Sequence, residues 1–562
     1  MPEGARAQLL RVDLGTGCWW REPLPAPLLQ DSLGGRGLGV ALLQEFAGLD
    51  PFEPALPLVF TSGPLCTTGL PMSTRCILTS RSPQSGTIFS ASSGGAFARY
   101  LRGAGVTALV LQGRAATPSI LKINPLTAEL VPAATLWGSG TTDTLQRLAD
   151  AGSAAAAIGP AGEQLVPCAA IVTTAGESFE RGGFGAVMGA KQLKAITVSG
   201  DDSVPIADQT AFTTARDDLQ RLLWASPFLL GPFGIREHGT SALVDLLAAR
   251  GMLPGPNFAS FAGDCCPWNA AALRSRYQAR AGGCYDCTVG CKRLLTDGNE
   301  LPGYDQLAAF GGLCGISGLV QLVMLCRQCR DLGLDPLSIA GTLAVWSELT
   351  GQHGEQLELT ALVSAIATRT GQGQLPALGA VAVAEELGHP QQAMVVKGLE
   401  LAPYDLRAST GLALASAVSC HGGSHLTAWP LASEILRKPV PTDRFSFDGK
   451  ARLVAALEDA CAAADLLPFC RLGNAAVGLE ELAALVTATI GRTIAPADLQ
   501  AAGRRTVLRE RAFNRSCGFS DADDRLPQRF FSESANGLAP LDRQRFEEER
   551  AAYHRIRERQ AQ

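Results

Sequence analysis

Three cysteines crowd one short stretch, GGCYDCTVGCKR, placing Cys284, Cys287 and Cys291 at C-x2-C-x3-C spacing. Thiolates this close in sequence converge on one small metal centre, and a fourth ligand must come from elsewhere in the chain. Iron–sulfur clusters take thiolates in this way, often as a tight local set plus one remote cysteine. The flanking glycines let the backbone approach a cluster and donate N–H groups to its sulfurs. Zinc is the main rival, but zinc sites usually show two paired half-sites at matched spacing, and none is evident. A trio of plain buried thiols is the third reading. Cys461 and Cys470 both lie after a helical segment, and pattern alone does not choose between them as fourth ligand. Cys326 and Cys329, three apart on a helix, read as small buried residues, and Cys265, Cys266 and Cys314 have no assigned role.

The chain that must position these residues has 562 residues, 16 of them cysteine, with 46% apolar and 18% charged residues. That is a globular composition, large enough for three or four domains at roughly 150 residues each. A net charge of −5 advertises no polybasic surface for nucleic acid or anionic membrane. The opening MPEGARAQLLRVDLG has no continuous apolar stretch and carries early acids, unlike a secretory signal. No apolar run reaches the length of about 18 residues that spans a bilayer. The expected location is therefore the cytoplasm, where the cysteines are reduced thiols or metal ligands rather than disulfides.

The first two hundred residues read as mainly β: LLRVDL, LVFTSG, RCILTSRS, ALVLQG, SILKIN and AITVSG are short strands between Gly- and Pro-bearing turns. LGTG at 14–17 reads as a hairpin turn, and TDTLQRLADAG as an interposed helix. Beyond DDSVPIADQ, apolar residues recur at helical spacing over 318–333, 340–349, 359–370, 376–387, 449–464, 478–490 and 496–513. LRSRYQARAGGC reads as a basic helix ending in a Gly pair just before Cys284. The last stretch, LDRQRFEEERAAYHRIRERQ, reads as a charged surface helix open to a partner.

Several blocks together resemble the tungsten-containing aldehyde:ferredoxin oxidoreductase family over essentially the whole chain. They are GGRGLGVALL, SGPLCTTGLPMSTR, SPQSGTI, SSGGAFARYLRGAGVTALVLQGRA, AAIGPAGE, ERGGFGAVMGAKQLKAI, CYDCTVGC, LGLDPLSIAG, ADLLPFC and RAFNRSCGFSDADDRLPQRF, in the family's order. The resemblance implies an α+β fold. Residues 1–203 would form a β-rich base of two sheets, 204–395 a helical domain with the cysteine loop, and 396–562 a second helical domain. It implies tungsten (or molybdenum) on two pyranopterins, magnesium bridging their phosphates, and a 4Fe–4S cluster. GGRGLG lacks the spacing and acidic residue of a dinucleotide loop; in the family such glycines let amides reach pterin phosphates.

The resemblance implies cofactor-binding roles for Arg75, Ser92, Ser93, Gly94, Gly95, Arg181, Gly182, Gly183, Gly185, Asp335, Asp465 and Phe469. A carboxylate suits the amino-pyrimidine edge of a pterin, and arginine suits phosphate. The family's fourth cysteine follows the second aspartate by five positions, which selects Cys470. His425 matches a histidine near the metal, with His421 able to exchange roles with it. Asp305 in GYDQ stands where relatives carry a glutamate proposed as general base, a carboxylate one methylene shorter. The block after DLRAS is less regular than the family's, and the tail lacks its Gly-Trp. The implied activity is oxidation of an aldehyde to a carboxylic acid, or the reverse, with a ferredoxin or Fe–S subunit as electron partner. The alternatives are low-potential reduction of an aromatic acyl-CoA and a non-catalytic electron-transfer or scaffold subunit. Assembly as a homo- or hetero-oligomer is open.

Overall fold

The structure, a computed structural model, describes residues 7–352 and 358–562. Residues 1–6, which open the segment read above as lacking a signal, lie outside the described residues.

Two six-stranded mixed sheets form the N-terminal part. The strands are β1 Gln8–Asp13, β2 Trp19–Pro23, β3 Leu58–Thr61, β4 Cys76–Arg81, β5 Ile88–Ser93, β6 Val106–Gln112, β7 Ser119–Ile123, β8 Ala128–Pro132, β9 Ser153–Ile158, β10 Ile171–Thr173, β11 Ser178–Phe179 and β12 Leu193–Ser199. The first sheet runs β2-β1-β6-β3-β4-β5 and the second β11-β10-β9-β12-β7-β8. In each, one parallel pair (β1 with β6, β7 with β12) sits among antiparallel neighbours. The turn at 14–17 does join the antiparallel pair β1–β2. The sheets share one apolar core: Leu10, Phe60 and Leu109 from the first meet Ile158, Phe179 and Ile196 from the second. Phe60 packs edge-on against Phe179, ring centroids 5.6 Å apart. Strand β9, SAAAAI, carried no β-branched signal; small alanines suit it because it is buried.

Past Ser199 the chain is mostly helical, with helices Leu319–Leu332, Pro336–Thr350, Leu359–Thr368, Lys450–Leu466, Leu479–Ile490 and Pro496–Ser516 at the periodic segments. The segment 376–387 is broken: a 3-10 turn gives way at Gly379, whose φ of +96° ends one helix and opens Ala380–Glu386.

Two expectations are corrected. The basic helix before the cysteines stops at Arg276, and Arg280–Gly282 is a strand paired with Lys292–Leu294. That ribbon joins the two ends of the cysteine loop, with Gly282 opposite Lys292, which a helix could not do. The C-terminal helix Arg543–Ala561 is not an open charged surface. It buries Phe546, Tyr553 and Arg557 and packs on Lys450–Leu466. Arg557 pairs there with Glu458 (2.8 Å) and Asp459 (2.6 Å), so charge spelled burial rather than solvent. Among the described residues, no helix is long and apolar enough to cross a membrane.

Candidate functional site

The ribbon and loop hold Cys284, Cys287 and Cys291 half-buried, and Cys470 arrives from the segment after helix Lys450–Leu466. The Cys470 amide donates to the Met72 carbonyl (2.9 Å), fixing this segment to the β base. Cys470 raises the pKa of all three loop thiols, behind burial as the larger cause, so the four form one group. Cys461 lies buried in the helix, where its charged neighbours are Arg471, Asp465, Arg36 and Glu458 instead. No three of these thiols bring their sulfurs within 4.8 Å of one another among the described residues. Thiolates on one zinc ion, at a Zn–S length of about 2.3 Å, stand about 3.8 Å apart. The wider set suits a larger centre.

Arg75 lies against this group. Its Nη1 faces Cys284 Sγ at 3.8 Å, and its Nε and Nη2 donate to the Ser92 hydroxyl (3.0 Å) and carbonyl (3.1 Å). A side chain at Gly94 would overlap Cys284 Sγ, so glycine there lets β5 approach the loop. Ser93 is buried with its hydroxyl on the Gly94 carbonyl, and Gly95 caps helix Ala96–Gly103. Glu177 accepts from the Cys284 thiol (3.3 Å) and pairs with Lys292 (2.9 Å).

Two buried arginine–aspartate seats flank the deep part of the molecule. In one, Asp335 caps helix Pro336–Thr350, accepting from the amides of Leu337 (3.3 Å) and Ser338 (3.2 Å) and the Ser338 hydroxyl (2.6 Å). Arg181 Nη1 reaches Asp335 (3.3 Å) and Ser338 (3.1 Å), and its Nη2 donates to the Glu400 carbonyl. In the other, Asp465 accepts from Arg36 (3.3 Å) and Arg471 (2.6 Å), while Arg36 also pairs with Glu510 (2.6 Å). Three buried polar atoms here have no protein partner: Arg181 Nε, Arg471 Nη1 and Gln84 Oε1. Two arginine donors left over beside the two aspartates fit a ligand bearing oxyanions at each seat.

The glycines of the ERGGFG block pack closely against their neighbours. Side chains at Gly183 and Gly185 would strike the carbonyls of Pro167 and Ala170, so these positions serve close packing, as Gly182 does against the Phe184 ring. Phe469 is buried in the apolar cluster with Leu466 and Val486.

Asp305, on the short helix Tyr304–Leu307, meets His425 and Tyr404. Tyr404 donates to Asp305 Oδ1 at 2.9 Å, and His425 Nε2 lies 3.6 Å from Asp305 Oδ2. The Tyr404 ring packs on His425 with centroids 5.2 Å apart, and on Tyr304 at 5.0 Å. Burial pushes the Asp305 carboxyl up, but His425, Tyr404 and Arg181 outweigh it, and the net shift is down. His425 is buried with Nδ1 lacking a partner. His421 is committed elsewhere: it pairs with Glu510 (3.2 Å) and packs on Phe89, and burial holds its pKa down. It does not exchange with His425.

Sequence reading missed Tyr404, Glu510, Arg471 and Glu400. Arg36 was inside the quoted GGRGLG block, and a lone arginine among glycines was its signal. Nothing local marked the others.

A β base carrying two buried arginine–aspartate seats, an ionised carboxylate beside histidine and tyrosine, and four gathered thiols define an oxidoreductase. A family model described as aldehyde ferredoxin oxidoreductase, N-terminal domain, matches residues 9–200, and its counterpart for domains 2 and 3 matches residues 214–560. The tungsten-containing aldehyde ferredoxin oxidoreductase of Pyrococcus furiosus is 34% identical over 561 residues, covering 94% of this chain and 92% of that protein. Its namesake from Thermococcus kodakarensis is 33% identical over 558 residues, with the same shares. The active-site complex of benzoyl coenzyme A reductase with 1,5-dienoyl-CoA shares the fold, at a TM-score of 0.85 and 21% identity over 99% of this chain and 95% of that one. The chain belongs to the aldehyde ferredoxin oxidoreductase family.

Proposed function

We propose that the chain oxidises an aldehyde to a carboxylic acid, using tungsten (or molybdenum) on two pyranopterins and a 4Fe–4S cluster that passes electrons to a ferredoxin or Fe–S subunit. The observation that carries this is Asp305, held ionised between Tyr404 and His425 and within the electrostatic reach of Arg181. Arg181 with Asp335, and Arg36 and Arg471 with Asp465, would hold the two pterins and their magnesium. Cys284, Cys287, Cys291 and Cys470 would hold the cluster, with Arg75 between it and the pterins.

The reaction consumes aldehyde and water and yields acid, two protons and two electrons. When bound, the metal centre supplies the two-electron acceptor. Asp305, already ionised, takes a proton from the attacking water. Tyr404 fixes Oδ1, leaving Oδ2 toward His425. His425 faces Asp305 Oδ2 with Nε2, 3.6 Å away, and its unpartnered Nδ1 is the group that would donate to the carbonyl oxygen and polarise it. The Tyr404 ring, tilted 35° against the imidazole, packs on it and limits its movement.

The test is purified holoenzyme with a panel of aldehydes and a viologen dye, alongside metal analysis. Dye reduction with about four iron and one tungsten or molybdenum per chain is expected. No reduction with any aldehyde, but dye-linked turnover of an aromatic acyl-CoA, transfers the assignment to that reaction. Iron without tungsten or molybdenum leaves an electron-transfer subunit.

A further inference from the structure

Four of the large exposed apolar side chains lie on the segments that border the cysteine loop: Leu222 (37% exposed), Trp224 (59%), Phe233 (87%) and Tyr285 (41%). Leaving such side chains in water is a cost, and grouped ones mark an interaction surface. Arg236 ties Trp224 to the loop. Its guanidinium lies over the Trp224 ring at 5.1 Å, and its Nη1 donates to the carbonyl of Thr288, next to Cys287, at 3.0 Å. On the other side Arg99 lies over the ring of Tyr285, next to Cys284, at 4.8 Å.

The face is also basic in a chain whose net charge is −5. The helix and strand that lead into the loop expose Arg274, Arg276 and Arg280, against Asp286 in the loop itself and Glu237 beside Arg236. Arg274 stands near Arg293, whose Nη1 donates to the Gly290 carbonyl (3.2 Å) between Cys287 and Cys291. The C-terminal helix offers no comparable surface, because its aromatic residues are turned into the chain.

We propose that this face, with Trp224 and Phe233 as apolar anchors and Arg276 and Arg280 as steering charges, docks a small acidic iron–sulfur carrier protein of the ferredoxin type. Exposed aromatics supply the contact area that holds a transient partner, and arginines opposite acids set its approach and orientation. The inference rests on the proposed cluster at Cys284, Cys287, Cys291 and Cys470. Each carrier takes one electron, so one aldehyde and one water reduce two carriers and release acid and two protons.

The experiment uses holoenzyme and an acidic ferredoxin, with binding measured directly by calorimetry and turnover measured separately with ferredoxin and with methyl viologen. Trp224→Ala with Phe233→Ala, and Arg276→Glu with Arg280→Glu, are expected to weaken ferredoxin binding and raise its KM at least about tenfold. Viologen-linked kcat stays unchanged, since the dye needs no docking face. Added salt should raise the wild-type KM for ferredoxin and flatten in the Arg276→Glu, Arg280→Glu variant. Unchanged ferredoxin affinity in both double variants overturns the docking face. Loss of aldehyde turnover with viologen in the wild type would instead strike the catalytic reading, while the binding measurement still decides the surface.

Discussion

The two arginine–aspartate seats look alike in sequence and differ in what surrounds them. Asp465 is saturated by two arginines, and Glu510 beside it shares Arg36 and His421. Asp335 has one arginine and a helix N-terminus, with two further acids, buried Glu400 and half-buried Glu180, close by. The first seat lies five residues before Cys470, on the proposed electron side. The second has its arginine in electrostatic reach of Asp305, on the proton side. One motif thus sits in two environments: a cation-rich one in which Glu510 is held ionised, and an acid-rich one in which Glu180 is pushed toward its protonated form.

The sharpest break of the electron side is Cys470→Ser. We expect iron to fall from about four per chain to near none and all dye-linked turnover to vanish, while Cys461→Ser keeps both. Iron analysis of the two variants decides it, and the opposite pattern would move the fourth ligand into the helix. On the proton side, Asp305→Asn should lower kcat by about 10²–10⁴, with iron and tungsten content unchanged. A loss confined to KM would make Asp305 a binding group.

A smaller effect compares the seats directly. Arg36→Ala strands Glu510 with only His421, and removing one partner of a buried pair costs about 3–5 kcal/mol. Arg181→Ala should cost less, about 1.5–3 kcal/mol, because three hydrogen bonds from Leu337 and Ser338 still hold Asp335. Denaturant titration of both variants checks the order. Equal losses would mean the helix N-terminus contributes nothing to that seat.

The strands and helices were legible where side chains keep a period: β-branched runs gave β1, β3, β4, β6, β7 and β12, and apolar spacing gave the long helices. Alanine-rich β9 and serine-rich β5 were not, because their burial, not their propensity, makes them strands. The thiol trio showed itself because its cysteines are neighbours in sequence, and Cys470 was singled out only by the block that carries it. Glu510 stayed hidden in a helix of mean charged character, since its partner Arg36 is 474 residues away. Arg557 misled for the same reason: an arginine reads as solvated until the acids it meets, Glu458 and Asp459, are known. Long-range charge pairing is the part of this site that local pattern cannot encode.

The seats should also answer oppositely to pH, and this is the finest test of the comparison. Burial would raise Glu510, but Arg36 and His421 outweigh it and bring the carboxyl to about 2, from an ordinary 4.5. Its stabilisation is therefore complete above pH 4.5 and lost as pH falls toward 2. Glu180 moves the other way: burial, reinforced by Asp335, raises it to about 7 despite Ser178 and Arg330. The fold prefers its protonated form, so stability falls as pH climbs from 4.5 through 7. Glu180 should therefore add stability from pH 8 down to pH 5, and Glu510 should withdraw its contribution toward pH 3. Glu180→Gln should flatten the first limb and leave the second, and Glu510→Gln, though less stable throughout, should flatten the second. Thermal melts at pH 8, 5 and 3 on the three proteins separate the limbs. If Glu180→Gln leaves the pH 8 to 5 limb intact, the proton-side seat is as fixed as its counterpart, and the contrast reduces to which arginines each aspartate meets.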